Sequence, residues 1–233
     1  MDTNPSQSPL TSEQIREACN LQSAGDENAE RICRINEEIS QGLDLISKYP
    51  KKVSIFGSLR FKEGHPDYER ARKLAKRLAS ELDYTVVTGG ASGIMEAANR
   101  GAREGGGQSV GVTIRLPHEQ HTNPYVTQEI PCYYFFTRKV LLSFASRMYI
   151  YFPGGFGTMD EFYEILTLVQ TAKIQKVPIV CVGAYFWETL NEHMHHGLML
   201  PAGTIDESDM GLYTITDDEE TIMEIARNAQ TRK

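Results

Sequence analysis

The stretch Pro153-Gly154-Gly155-Phe156-Gly157-Thr158-Met159-Asp160-Glu161 constrains this chain more than any other. The run ahead of it, Met148-Tyr149-Ile150-Tyr151-Phe152, is apolar and aromatic and reads as a buried strand. The run behind it, from Met159 to about Ala172, is amphipathic and predicts a helix. Glycines at such a junction let the backbone approach a ligand, because no Cβ intervenes. The first N–H groups of the following helix lack intrahelical partners, and the dipole there favours anions. Strand, glycine turn and helix N-terminus together make a phosphate site. Thr158 is expected at the N-cap, and Glu161 about one turn into the helix with its carboxylate toward the same cleft.

The rest of the chain repeats this alternation. From Val53 onward, strands and helices follow one another, which argues for a doubly wound, mainly parallel α/β sheet of the Rossmann-like kind. Strands are expected at Val53–Phe56, Tyr84–Val87, Ser109–Ile114, Met148–Phe152, Pro178–Val182 and Leu212–Thr216, with a short one at Cys132–Phe136. Between them fall helices at Pro66–Leu82, from Ile94 to Gly105, at Arg138–Ala145 and from Tyr185 to about Met194, and a final helix closes the chain near Ala229. Ahead of the sheet, residues 1–10 are polar and read as disordered, Thr11 or Ser12 opens a short helix to Gln22, and Ser23–Asn28 reads as a loop. Ile32, Ile35, Ile39, Leu43 and Ile46 then recur at helical spacing, giving a helix that must pack on something. The polar segment from Arg115 to Gln128 is long for a simple connection and reads as a functional loop.

Ligands on doubly wound sheets sit at the carboxyl ends of the strands. Gly57-Ser58, Thr88-Gly89-Gly90-Ala91-Ser92-Gly93 and Pro153–Thr158 all lie at such ends and are expected to converge on one crevice. The competing reading of the Thr88–Gly93 segment is a tight strand-to-helix turn with no ligand. A classical NAD site is not indicated: Gly57-Ser58-Leu59-Arg60 is not G-x-G-x-x-G, and Thr88 stands where an acidic residue would hold a ribose.

Charge and cysteine content narrow the classes further. A net charge of −7 disfavours nonspecific nucleic-acid binding, while leaving room for a small phosphorylated ligand in a local positive pocket. No apolar run reaches a membrane span and no signal core opens the chain. The four cysteines, Cys19, Cys33, Cys132 and Cys181, are scattered without a CxxC pair and read as reduced core thiols, which together with the other signals points to the cytoplasm. Among the histidines, His118 and His121 flank Glu119 without completing HExxH, and His193, His195 and His196 suit a solvated helix end better than zinc, so no metal is expected. Ser58 and Ser92 lack a G-x-S-x-G elbow and read as hydrogen-bonding groups for a phosphate or ribose.

P-G-G-F-G-T-M-D-E resembles the PGGxGTxxE signature of the LOG ("lonely guy") family of nucleotide phosphoribohydrolases, whose members are often mislabelled lysine decarboxylases. The segment from Thr88 to Asn99 is similar to the family's GGGxxGxMxA segment, with Ala91 for the third glycine. Arg138-Lys139 matches the family's RK pair, and Thr137 before it, with Leu116–Gln120, Asn123–Tyr125 and Gln170–Ile174, resembles the longer bacterial branch. The resemblance runs from about residue 53 to 220. The layout gives residues 1–50 as tail and helical extension and residues 51–233 as one Rossmann-like domain, which the resemblance implies is nucleotide-binding and catalytic. The resemblance also implies hydrolysis of a nucleoside 5′-monophosphate, AMP or N6-modified AMP, to free base and ribose 5-phosphate, without cofactor or metal, in a homodimer or higher homo-oligomer. Arg138 and Glu161 are then the expected catalytic residues; Ser58, Gly90, Asn99, Lys139, Gly154, Gly155, Gly157 and Thr158 are expected to bind substrate or phosphate. The bland alternative for Arg138 is a surface ion pair. The alternative for the whole chain is a carrier that binds a nucleotide or nucleotide-like cofactor without hydrolysing it.

Overall fold

The computed structural model describes residues 26–115, 121–200 and 202–230. The expected tail, the helix to Gln22 and the segment Leu116–Gln120 with His118 lie outside the described residues.

Seven strands pair in parallel throughout, in the order β4-β3-β2-β1-β5-β6-β7. They are β1 (Lys52–Phe56), β2 (Thr85–Thr88), β3 (Ser109–Ile114), β4 (Gln128–Cys132), β5 (Met148–Tyr151), β6 (Ile179–Cys181) and β7 (Thr214–Ile215). The helices in chain order are α1 (Asp26–Ser47), α2 (Pro66–Leu82), α3 (Ile94–Glu104), α4 (Phe135–Ala145), α5 (Phe156–Gln170), α6 (Ala184–His193), α7 (Glu207–Met210) and α8 (Glu219–Asn228). A π-helical turn, Met194–Met199, continues α6.

Successive side chains of a strand point to opposite faces, so each buried strand must be apolar on both. In β5, Tyr149 and Tyr151 join the core beneath α1, α4, α5 and α6, while Met148, Ile150 and the adjoining Phe152 join the one beneath α2, α3 and α8. Fully burying one such aromatic side chain stabilises the fold by roughly 2–3 kcal/mol. The unbroken apolar run that marked β5 in the sequence is thus the signature of a strand covered on both sides.

Three expectations change at element ends. The strand expected at Cys132–Phe136 is instead β4, ending at Cys132, where its pairing with β3 stops opposite Ile114. The following aromatic run turns away, and α4 begins at Phe135, because Glu38 of α1 accepts hydrogen bonds from the N–H groups of Tyr133 and Tyr134. The loop expected at Ser23–Asn28 is helical from Asp26 on. Helix α5 starts at Phe156, three residues before the expected Met159, with Gly155 at the N-cap.

The order of strands fixes where a ligand can sit. The chain works outward from β1 to β4, then returns to lay β5 on the other side of β1. At this reversal the connections diverge, leaving a crevice at the carboxyl ends of β1 and β5.

Candidate active site

Two backbone hydrogen bonds draw the three turns together at that crevice. Ser58 N–H donates to the Pro153 carbonyl at 3.0 Å, and Ile94 N–H donates to the Ser58 carbonyl at 3.0 Å. The turn after β1 is therefore stapled to both glycine turns. A Cβ on Gly93 would drive into the Ser58 carbonyl, and Gly93 also takes a φ of +73°, so only glycine fits this junction without strain. Above the staples opens a cavity of about 840 Å³.

One wall of that cavity is the start of α5. The N–H groups of Phe156, Gly157 and Thr158 belong to the first turn, where a helix offers donors without internal acceptors. A Cβ built on Gly155 or Gly157 would meet nothing within 4 Å, so both backbones border open space. Gly154 differs, since a Cβ there would collide with the Thr158 hydroxyl. Thr158 is the third residue of the helix rather than its cap, a position held by Gly155.

The other wall carries charge. Glu161 is 5% exposed, and its Oε2 has no hydrogen-bond partner among the described residues. Its Oε1 lies 3.8 Å from Nη1 of Arg138. Burial pushes the Glu161 carboxyl up to about 7, against the opposing pull of Lys139 and Arg138, with Glu164 and Asp160 adding to the rise. Arg138 is held in place by its Nε–H, which donates to the Val112 carbonyl at 2.9 Å, and burial lowers the guanidinium from its ordinary range. A Cβ on Gly89 would collide with that guanidinium, so the second glycine turn makes room for the arginine. A buried ion pair, rather than a surface one, is what the structure makes of Arg138.

Of the residues expected at the site, Arg138, Glu161, Ser58, Gly154, Gly155, Gly157 and Thr158 line this one cavity. Gly90 lines an adjoining cavity of about 490 Å³ instead, together with Thr113, Thr122 and Glu129. The two cavities share Ala91 and Ile114 as a common wall. Lys139 is not part of the main cavity's lining and pairs with Asp160 at 2.7 Å and Glu164 at 3.0 Å. Asn99 is fully buried beneath the Thr88–Gly93 turn. Its Oδ1 accepts from Thr88 and Asn123, and its Nδ2 donates to Ser109 Oγ at 2.6 Å. These bonds go to the protein, so Asn99 braces the turn from below, and it is not part of either cavity's lining.

Sequence reading missed the aromatic rim. Phe156 is 96% exposed at the mouth, with Phe135 and Tyr185 beside it on the cavity wall. Tyr185 is anchored by its hydroxyl, which donates to Asp67 at 2.7 Å. Phe156 was visible in the sequence as the variable residue of the glycine turn, but nothing local told that its ring faces outward. Among the described residues, no group of three or more His, Cys, Asp or Glu side chains is placed to hold a metal ion, and no helix is long and apolar enough to cross a membrane. The main cavity can thus receive an anion at the helix start and set a carboxylate and a guanidinium against the remainder of the same ligand.

A family model described as possible lysine decarboxylase matches residues 95–226, more than half of the chain. A probable cytokinin riboside 5′-monophosphate phosphoribohydrolase of Arabidopsis thaliana is 28% identical over 138 residues, covering 57% of this chain and 69% of that protein. The cytokinin riboside 5′-monophosphate phosphoribohydrolase of Rhodococcoides fascians is 25% identical over 164 residues, covering 66% of this chain and 80% of that protein. Among solved structures, the molybdenum cofactor carrier protein of Chlamydomonas reinhardtii superposes with a TM-score of 0.53 at 21% identity, over 75% of this chain and 98% of that one. At that identity the likeness is one of fold.

Proposed function

The chain belongs to the LOG family, whose model bears the description possible lysine decarboxylase, and from this premise we propose that it is a nucleoside 5′-monophosphate phosphoribohydrolase. The observation that carries the reading is the buried Glu161 carboxylate, one oxygen unpartnered, beside Arg138 and in the same cavity as the open start of α5. An unpartnered buried polar atom is uncommon and calls for an explanation. A bound substrate supplies one.

The chemistry follows from where these groups stand. The 5′-phosphate lies against the N–H groups of α5 and the backbone of Gly155 and Gly157. The C1′–N bond breaks with its electron pair going to the base, and positive charge builds on the ribose as in other glycosidic cleavages. Glu161, ionised, stabilises that charge and takes a proton from the attacking water, whose oxygen bonds to C1′. Arg138 orients the substrate and offsets the negative charge that develops on the departing base. The proton taken up by Glu161 passes on to the departing base, so water and nucleotide become free base and ribose 5-phosphate, with AMP or N6-modified AMP as the substrate class. No lysine lines the cavity among the described residues, which gives a Schiff-base decarboxylase no anchor there. Exposed Ile32 and Leu43 on α1 and the rim at Phe156 supply apolar surface for the homodimer or higher homo-oligomer that belongs to this reading.

The competing reading, a nucleotide-like cofactor carrier without hydrolysis, draws on the fold shared with the Chlamydomonas carrier. Glu161 separates the two, because a carrier has no use for a carboxylate whose burial opposes its charge. Purified protein incubated with AMP, a cytokinin monophosphate, CMP, UMP and GMP should release free base and ribose 5-phosphate from at least one of them. Glu161→Gln should still bind that nucleotide while turnover drops by about 100-fold or more. Tight AMP binding with no base release over hours would transfer the protein to the carrier class.

A further inference from the structure

We propose that Glu38, on the N-terminal helix α1, is a positioning residue for Arg138; the functional side of this inference rests on the reading above. Helix α4 begins badly on its own sequence. Its N-cap is Tyr134, which makes no side-chain capping bond, and its first turn holds no acidic residue. It then places Arg138 and Lys139 close behind that end, where the helix dipole disfavours cations. An isolated segment of this kind would fray at the residues that must aim the arginine.

Glu38 supplies from another helix what α4 lacks. Its carboxylate accepts from Tyr133 N–H at 2.9 Å, from Tyr134 N–H at 3.5 Å and from the Thr137 hydroxyl at 2.6 Å. Three donors around one carboxylate, two of them backbone groups at a helix start, make a cap with the charge the dipole favours. Thr137 is fully buried and immediately precedes Arg138. One turn further along each helix the contact repeats as packing, since a Cβ on Gly42 of α1 would collide with Leu141 of α4. Glu38 and Gly42 on one helix therefore register against Thr137 and Leu141 on the other. This fixes the rotation of α4 and the line along which Arg138 reaches over Gly89 to Val112. The match to the family model begins at residue 95, so α1 lies outside it. The helix is accordingly a working part of the arginine side of the cavity, supplied from outside that matched stretch.

The test reads Arg138 directly. In full-length protein labelled with 15N-arginine, the Arg138 Nε–H, assigned by its disappearance in Arg138→Lys, should exchange slowly because Val112 holds it. Glu38→Ala and the isosteric Thr137→Val should each speed that exchange by about tenfold or more, and the double variant should add little to either alone. Thr137→Ser, which keeps the hydroxyl, should restore the slow rate. With an active substrate in hand, kcat should fall roughly 10- to 100-fold in the first two variants, as expected for a misplaced catalytic group. Unchanged Arg138 exchange, or strict additivity in the double variant, overturns the proposal. Should Glu38→Ala fail to fold, Glu38→Gln takes its place and should also speed the exchange, because the Thr137 hydroxyl lies 2.8 Å from the Tyr134 carbonyl as well and Thr137→Val alone would not isolate the carboxylate. Because the exchange measurement needs no turnover, a protein inactive on every nucleotide would overturn the functional reading and leave this one still decided by the resonance.

Discussion

The two glycine turns, Thr88–Gly93 and Pro153–Gly157, look like equivalent anion cradles in the sequence and are put to different uses by the fold. Glycine in the first turn is demanded by protein atoms. Gly89 lies under Arg138, Gly90 under Thr113 with a φ of +75°, and Gly93 under Ser58. Its underside is closed by Thr88, Asn99 and Asn123, whose amide also donates to the Gly90 and Ala91 carbonyls. In the second turn Gly154 packs on Thr158, but Gly155 and Gly157 border empty space. One turn is a bracket for Arg138; the other opens onto the cavity and is the receiving surface in the proposed function. Glycine is required in one by contact and borders open space in the other.

Substitutions at the glycines and at Glu161 can break this contrast. The largest effect is expected from Gly93→Ala, where a methyl group meets the Ser58 carbonyl and a positive φ at once. We expect a loss of about 3 kcal/mol or more. For a chain of this size that lowers Tm by roughly 6–12 °C, readable by calorimetry. A fully stable Gly93→Ala protein would mean that the bracket is not rigid.

Glu161→Gln comes next, through pH. The carboxyl is raised from 4.5 to about 7 on folding, so the native state binds more protons than the unfolded chain between those values. Stability of the unaltered protein should then fall as pH climbs through that window, by about 3 kcal/mol in all. Below 4.5 the group is neutral in both states and contributes nothing. Glutamine removes the titration. Denaturant melts should thus show the variant gaining on the parent between pH 4.5 and 8, while kcat/KM of the parent climbs through pH 7 as Glu161 ionises. A constant stability gap across that range would show that Glu161 is solvated rather than held dry.

The smallest effect sharpens the contrast most. Gly155→Ala puts a methyl group into open space, so Tm should stay within about 2 °C. The same methyl intrudes on a phosphate at the start of α5, and Kd for AMP should weaken by about tenfold, equivalent to about 1.4 kcal/mol. Calorimetric titration of AMP beside a thermal melt gives both numbers. Unaltered affinity would move the phosphate away from this turn.

Much of this was readable without coordinates, for reasons that differ element by element. The doubly covered strand β5 announced itself because burial on both faces requires an unbroken apolar run. Helix α2 was placed at both ends because Pro66 suits a first helical turn and its apolar stripe is complete. The strand misplaced at Cys132–Phe136 failed for the opposite reason. Aromatic residues favour strands, yet here the cap that starts a helix comes from Glu38, about a hundred residues earlier in the chain. No window of local sequence contains that cap. Asn99 and Lys139 show the same dependence on distant partners. Motif position put them near the site, while their side chains are spent on Thr88, Ser109 and Asn123 in one case and on Asp160 and Glu164 in the other.

The sequence by itself determined the alternation of strands and helices and the glycine junctions at the strand ends, because these depend on periodicity and on the missing Cβ; the family followed from the resemblance of its motifs. Only the tertiary structure decided which glycines face protein and which face open space, which member of Arg138-Lys139 turns inward, and that Glu161 is buried with an oxygen unpartnered. Those are matters of what lies across a gap, supplied by residues distant in the chain, and burial and charge pairing take their values from that neighbourhood rather than from the residue's own type.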